Sequence, residues 1–146
     1  MYRNVLIPVD GSAGSQKAVD YGLDLAEVYD AAVHLVYVVD ESVYDHYARM
    51  DAIENAEAAL ERHGEEVLSD ARERAGDAGL EVFEHVVRGA PHEAIVDCAE
   101  DADADLVVMG TERKSGEYRR LLGSVTDRVV RACERPVQVV KADVSG

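Results

Sequence analysis

Only two cysteines occur in this chain of 146 residues, Cys98 and Cys133, and neither has a partner at metal-ligand spacing. That excludes a disulfide framework and a cysteine-built zinc site, and leaves two small reduced thiols in a cytosolic core. Positive charge is scarce as well. Fifteen lysines and arginines face 30 aspartates and glutamates, the formal net charge is -15, and the only lysines are Lys17, Lys114 and Lys141. Such a surface repels nucleic acid and anionic lipid, so neither nucleic acid nor membrane is expected as a partner. It suits a salt-rich, halophilic cytoplasm, because at about 1 M salt the screening length falls to roughly 3 Å and acidic self-repulsion costs little. The opening MYRN runs straight into VLIPV with no basic leader, no long apolar segment and no small-residue cleavage site, so a cytoplasmic location is expected.

Several catalytic patterns are missing too. GSAGSQK, residues 11–17, has glycines and a lysine but not the G-x4-G-K-[S/T] spacing, so no Walker-type Mg-ATPase is implied. Ser12 lacks the nucleophile-elbow pattern and an evident His/Asp partner. His34, His46, His63, His85 and His92 are scattered without ligand spacing and read as surface or helix-end residues. No catalytic residue and no metal ligand is assigned, and no general base stands out for efficient catalysis.

What is present is alternation. NVLIPV (4–9), AVHLVYVV (32–39), LEVFEHVV (80–87), DLVVMG (105–110) and PVQVV (136–140) are short apolar runs rich in β-branched residues, and each reads as a strand. Helical stretches separate them at about 15–28, 51–78 and 92–100, with a fourth opening at Ser124. In the long stretch Ile53, Ala56, Leu60, Val67, Leu68, Ala71 and Ala75 recur near helical spacing, an amphipathic face to lay against a sheet. At 47% hydrophobic the chain can bury one real core, so 1–146 is expected to be a single domain. Strand–helix repetition demands crossover connections, hence a parallel sheet with helices on both faces, an α/β architecture. In open sheets of this kind ligands sit outside the carboxyl ends of the strands, where strand order reverses. Residues 10–12, 38–41 and the stretch after the fourth apolar run belong to that edge.

That last stretch, GTERKSGEYRRLLGS (110–124), concentrates Arg113, Lys114, Arg119 and Arg120 between two glycines. Residues 113–141 hold eight basic and three acidic side chains, against seven basic and 26 acidic in residues 1–112. Gly110 would let the backbone turn or come close to a ligand, and Gly123-Ser124 opens a helix whose free N–H groups and dipole favour an anion. Two readings stand on these local features. Ser124 with Asp127 also makes a capping box, and the basic patch serves self-association as well as phosphate. The segment VYDHYARM (43–50) reads as a connecting loop with amphipathic tyrosines, or a lid over the pocket with Tyr44 or Tyr47 stacked on a base.

The order of the pieces carries more. VLIPVDGS before a helix, LVYVVDE closing the second strand, GAPHEAIVDCAEDADADLVVMG leading into the fourth, the thirteen-residue step from Gly110 to Gly123-Ser124, and the run LLGSVTDRVVRACERPVQVV that contains this pair resemble the universal stress protein family from Tyr2 to Lys141. The resemblance implies an open five-stranded parallel sheet in the order 3-2-1-4-5 with helices on both faces, an adenine nucleotide alpha hydrolase-like fold, commonly dimeric through the C-terminal strand. It also implies binding of ATP or another adenine nucleotide, with or without Mg, in a stress-response sensor or regulator, with slow ATP hydrolysis at most. By position, Pro8, Val9 and Asp10 border the nucleoside, with Asp10 accepting from ribose or adenine. Val38 lines the adenine pocket, Met109 and Gly110 lie beneath the ribose, and Gly123, Ser124 and Val125 hold phosphates.

One position departs from the family's G-x2-G-x9-G-[S/T]. The second glycine falls on Arg113. A Cβ and a long side chain there either obstruct close approach of phosphate, leaving a dimeric interaction module that binds no nucleotide, or replace backbone contacts with charge-assisted hydrogen bonds. Arg128, Arg131 and Arg135 are expected at the surface, facing a partner's acidic side chains.

Overall fold

The computed structural model describes residues 2–41, 53–111 and 124–141. Nine elements follow one another: β1 (Asn4–Pro8), α1 (Ala13–Tyr29), β2 (Ala32–Asp40), α2 (Ile53–Asp77), β3 (Val82–Gly89), α3 (Pro91–Asp101), β4 (Leu106–Gly110), α4 (Ser124–Ala132) and β5 (Val137–Val140). The strands form one sheet in the order β3-β2-β1-β4-β5, every pair parallel. Strand order reverses beside β1, where the chain leaves β2 and β3 on one side and returns through β4 and β5 on the other.

Alternation along the strands divides the core in two. Val5, Ile7, Val33, Leu35, Leu106 and Val108 point to one face, where Ala18, Val19, Leu23 and Ala26 of α1 and Leu68, Ala71 and Ala75 of α2 cover them. Leu6, Val36, Val107 and Met109 point to the other, against Ile95, Cys98 and Ala99 of α3 and Val129 of α4. The central strands β1, β2 and β4 are buried on both faces and therefore appear as nearly continuous apolar runs, whereas the edge strand β3 is largely exposed and carries Glu84, His85 and Arg88. Two ion pairs accompany the buried packing of α2. Arg72 holds Glu84 of β3 through two bonds of 3.0 and 2.9 Å, and Arg74 pairs with Asp20 of α1.

Local chemistry sets the boundaries. α1 starts two residues earlier than its apolar spacing suggests, because Ser12 is the cap: its Oγ accepts from the Ser15 N–H at 3.2 Å, and its carbonyl from Gln16 at 3.0 Å. β3 starts later than expected because Leu80 still closes α2, donating its N–H to the Ala75 carbonyl at 3.1 Å after Gly79 has turned the chain at φ +75°. At the opposite edge of the sheet from the strand carboxyl ends, the Asp105 carboxylate accepts from the Arg3 and Asn4 amides at 2.8 and 2.9 Å, tying β1 to β4. Among the described residues no helix is long and apolar enough to cross a membrane.

One sequence expectation needs correction. His34 is neither at the surface nor at a helix end: it is a buried strand residue, stacked on Phe83, with His85 Nε2 at 3.0 Å from its Nδ1 and Asn4 Oδ1 at 3.1 Å from its Nε2. Burial, and then the neighbouring His85, holds its pKa below the usual imidazole range against a weaker opposing pull from Glu81. Arg128 and Arg131 are exposed, as expected, and Arg135 is half-buried; the last two also pair within the chain. Arg131 pairs with Asp127 at 3.2 Å, and Arg135 binds both Asp103 Oδ1 and the Ala104 carbonyl at 3.0 Å.

Candidate functional site

A cavity of about 390 Å³ opens at the carboxyl ends of β1, β2 and β4, beside the point where strand order reverses. The sheet supplies its floor: Pro8 from β1 with Val9 and Asp10 just beyond, Val36, Val38 and Asp40 from β2, and Met109 and Gly110 from β4. Three helix starts supply its rim, Ser12 and Ser15 at α1, Pro91 and Ile95 at α3, and Val125 and Thr126 at α4. The convergence follows from topology, since each helix leaves the carboxyl end of a parallel strand. Free N–H groups and the positive ends of helix dipoles therefore collect at one edge.

The β1–α1 turn is held by two hydrogen bonds of Asp10. Asp10 Oδ1 accepts from the Ser12 N–H at 2.9 Å, and the Asp10 N–H donates to Ser15 Oγ at 3.3 Å. The carboxylate lies close enough to Tyr37 to add to burial in raising that phenol's pKa. At the opposite wall, Thr126 Oγ1 donates to the Gly110 carbonyl at 3.0 Å, joining the first turn of α4 to the end of β4.

Gly110 owes its identity to packing. Its φ is not positive, and a Cβ on it would stand 2.0 Å from the carbonyl oxygen of Gly14. Conversely, a Cβ on Gly14 would stand 2.1 Å from the Thr111 carbonyl oxygen. The two glycines let the first turn of α1 lie directly on the end of β4, and so set the distance between two walls of the cavity.

Of the residues expected at the site, Pro8, Val9, Asp10, Val38, Met109, Gly110 and Val125 line this one cavity. Ser124 is the first residue of α4, directly before Val125. Arg113 and Gly123 lie outside the described residues, as do Lys114, Arg119, Arg120 and the segment 43–50. Asp40 belongs to the 38–41 edge expected to meet a ligand, whereas Ser15, Val36, Pro91, Ile95 and Thr126 join the lining without a sequence signal that assigns them there. Thr126 adjoins motif residues, and Pro91 carries only the helix-start signal of a proline in the first turn, here after an Ala90 cap that offers no side-chain bond.

The described lining contains two carboxylates, Asp10 and Asp40, and no lysine or arginine. That end accepts hydrogen bonds from hydroxyl or amino groups and opposes an anion. The N-terminus of α4 is the anion-favouring end. Among the described residues no cluster of His, Cys, Asp or Glu is arranged to hold a metal. Cys98 is not part of the site: burial, with Asp101 adding to it, pushes its thiol pKa up to about 11.

The model of the universal stress protein family matches residues 1–141. The chain belongs to this family. Universal stress protein MJ0531 of Methanocaldococcus jannaschii is 37% identical over 97% of this chain and 83% of its own length. The structure of protein MJ0577, from the same organism, has a TM-score of 0.86 and 30% identity, covering 99% of each chain. A family member crystallised in complex with cAMP has a TM-score of 0.72 and 29% identity, covering 97% of this chain and 98% of that one. The family's sheet order is the one observed here.

Proposed function

We propose that the cavity at the carboxyl ends of β1, β2 and β4 binds an adenine nucleotide, and that the protein is a stress-response sensor or regulator that reports nucleotide occupancy. The observation that carries this reading is the gathering of Pro8, Val9, Asp10, Val38, Met109, Gly110 and Val125, spread over 118 residue positions, around one cavity of about 390 Å³. That volume is within the roughly 300–1,000 Å³ common for small-ligand sites. The cAMP complex of a relative at 29% identity supports the ligand class. Nucleoside hydroxyl and amino groups meet Asp10 and Asp40, the base lies against Val38, and the phosphates lie toward Ser124 and Val125 at the start of α4. Binding, not rapid turnover, is the function, with or without Mg. The working unit is a homodimer joined through β5, an edge strand whose outer side has no partner among the described residues.

The test is calorimetric titration with ATP, ADP, AMP and cAMP in high salt, with Asp10→Ala as the disabled variant. Loss of a hydrogen-bond acceptor that carries charge should weaken binding about tenfold or more. Absence of binding by all four nucleotides to the wild-type protein would refute the reading.

The alternative, an interaction module that binds no nucleotide, draws its support from Arg113 at the position of a family glycine. Arg113→Gly separates the two. A clamp loses a charge-assisted contact, costing on the order of 1.5–3 kcal/mol for ATP and less for adenosine, whereas an obstruction is relieved and ATP affinity rises.

A further inference from the structure

His63 belongs to α2, outside the cavity of the proposed site, yet its contacts converge on the turn that carries Asp10. Its Nε2 lies 3.1 Å from the Asp10 carbonyl oxygen. A carbonyl only accepts, so Nε2 carries the proton and donates, in the neutral ring and in the imidazolium alike. The next residue, Gly11, has φ +85°, and a Cβ on it would come within 3.0 Å of Val67 Cγ2 and 3.2 Å of His63 Cε1. The turn therefore rests against α2 with no spare room. α2 comes this close because residue 64 is glycine: a Cβ there would be 2.8 Å from two ring carbons of Tyr37. The His63 ring in turn meets Tyr37 edge-on, with ring centroids 5.9 Å apart.

Asp10 is consequently held at three of its polar groups. Its N–H goes to Ser15 Oγ, its Oδ1 takes the Ser12 N–H, and its carbonyl takes His63. Oδ2 is left without a hydrogen bond among the described residues, and it is the oxygen with which a ligand hydroxyl or amino group can pair. Two of the three restraints come from Ser12, the cap of α1, and Ser15 in its first turn. The third comes from a different helix on the far side.

We propose that His63 is a positioning residue of the nucleotide site, fixing from α2 the direction in which Asp10 presents its free carboxylate oxygen. This inference rests on the nucleotide reading above. It also makes ligand affinity depend on how α2 is seated, because the hydrogen bond is the link between that helix and the turn.

The test compares wild type, His63→Ala and His63→Gln by calorimetric titration with ATP in high salt, with thermal unfolding of each variant. Because His63 is solvent-exposed, neither change should much alter the unfolding midpoint. His63→Ala should weaken ATP binding about three- to tenfold, the range for one neutral hydrogen bond. His63→Gln, whose amide N–H can occupy the place of Nε2, should restore it to within about twofold of wild type. Unchanged affinity in His63→Ala, or equal loss in both variants, overturns the positioning role while leaving the nucleotide site standing. A wild-type protein that binds no ATP overturns both.

Discussion

Gly110 and Gly76 allow the same chemical change, glycine to alanine, to be made with opposite consequences. At Gly110 the added Cβ would stand 2.0 Å from the Gly14 carbonyl oxygen, 2.2 Å from its carbon and 2.8 Å from its Cα. All three are backbone atoms, so no side chain can swing aside. To reach even a 3.0 Å contact, the end of β4 and the first turn of α1 must part by about 1 Å. The expected cost is about 3 kcal/mol, the upper end of ordinary overpacking. Gly76 lies in α2 with nothing within 4 Å of its would-be Cβ and no positive φ. There alanine removes only the entropic penalty of a helical glycine, a gain of about 0.5–1 kcal/mol.

Urea unfolding followed by circular dichroism, at one fixed salt concentration, measures both. A domain of this size has roughly 5–15 kcal/mol to lose, so Gly110→Ala should remain measurable. Gly14→Ala opens the same contact from the other side, so the double variant Gly14→Ala/Gly110→Ala should cost less than the two single changes added. A Gly110→Ala stability within about 1 kcal/mol of Gly76→Ala would refute the argument, because the direct packing of α1 on β4 could not then be as close as described.

Three further outcomes follow. Raising potassium chloride from about 0.1 M to about 1 M shortens the screening length from roughly 10 Å to roughly 3 Å and should raise the thermal midpoint of a chain with net charge -15; a flat or falling midpoint argues against a salt-adapted surface. Val139→Pro removes a backbone donor from β5 and should shift the proposed dimer toward monomer in light scattering, while an unchanged dimer of a folded variant places the interface elsewhere. At Asp105 desolvation works to raise the pKa, but the Asn4 and Arg3 amides, with Arg135, outweigh it and leave the pKa lowered. The carboxylate therefore contributes stability above its unfolded pKa of about 3.9 and loses it as pH falls through the lower folded value, so the deficit of Asp105→Ala should shrink in acid; a deficit independent of pH would mean that the charge contributes nothing.

Most of the architecture was legible because parallel strands covered on both faces must be apolar along their length, and the helices between them must show a 3.6-residue stripe. Every strand and helix boundary expected from those patterns falls within two residues of the observed one. The displaced boundaries have local causes that periodicity does not register: the Ser12 cap and the Leu80 bond that closes α2. The site was legible where short motifs lie at strand ends. It was less so where contact depends on distances between elements. GSAGS looks like an incomplete phosphate loop, yet Gly14 serves to admit the backbone of β4. His34 and His85 are 51 positions apart and meet only because β2 and β3 pair with His34 opposite Phe83. His63 is one polar residue on a charged helix until Gly64 brings that helix onto Tyr37.

The acidity of the chain bears on how the proposed site must recognise its ligand. Both charged side chains in the described lining, Asp10 and Asp40, are carboxylates, and they suit the nucleoside. An adenine nucleotide brings phosphate charge of the same sign as the whole surface, so long-range attraction cannot guide it inward. At about 1 M salt, fields beyond roughly 3 Å are screened in any case, and what remains is direct contact. Direct contact is what the start of α4 offers, through N–H groups fixed by the helix and tied to β4 by the Thr126–Gly110 bond. In the sequence, Arg113, Lys114, Arg119 and Arg120 precede that helix, so the basic residues of an acidic chain are concentrated just before the helix start. On the proposed reading, acceptors at the strand ends for the nucleoside and donors at the helix start for the phosphates would let a strongly acidic protein bind an anion without an extended basic surface.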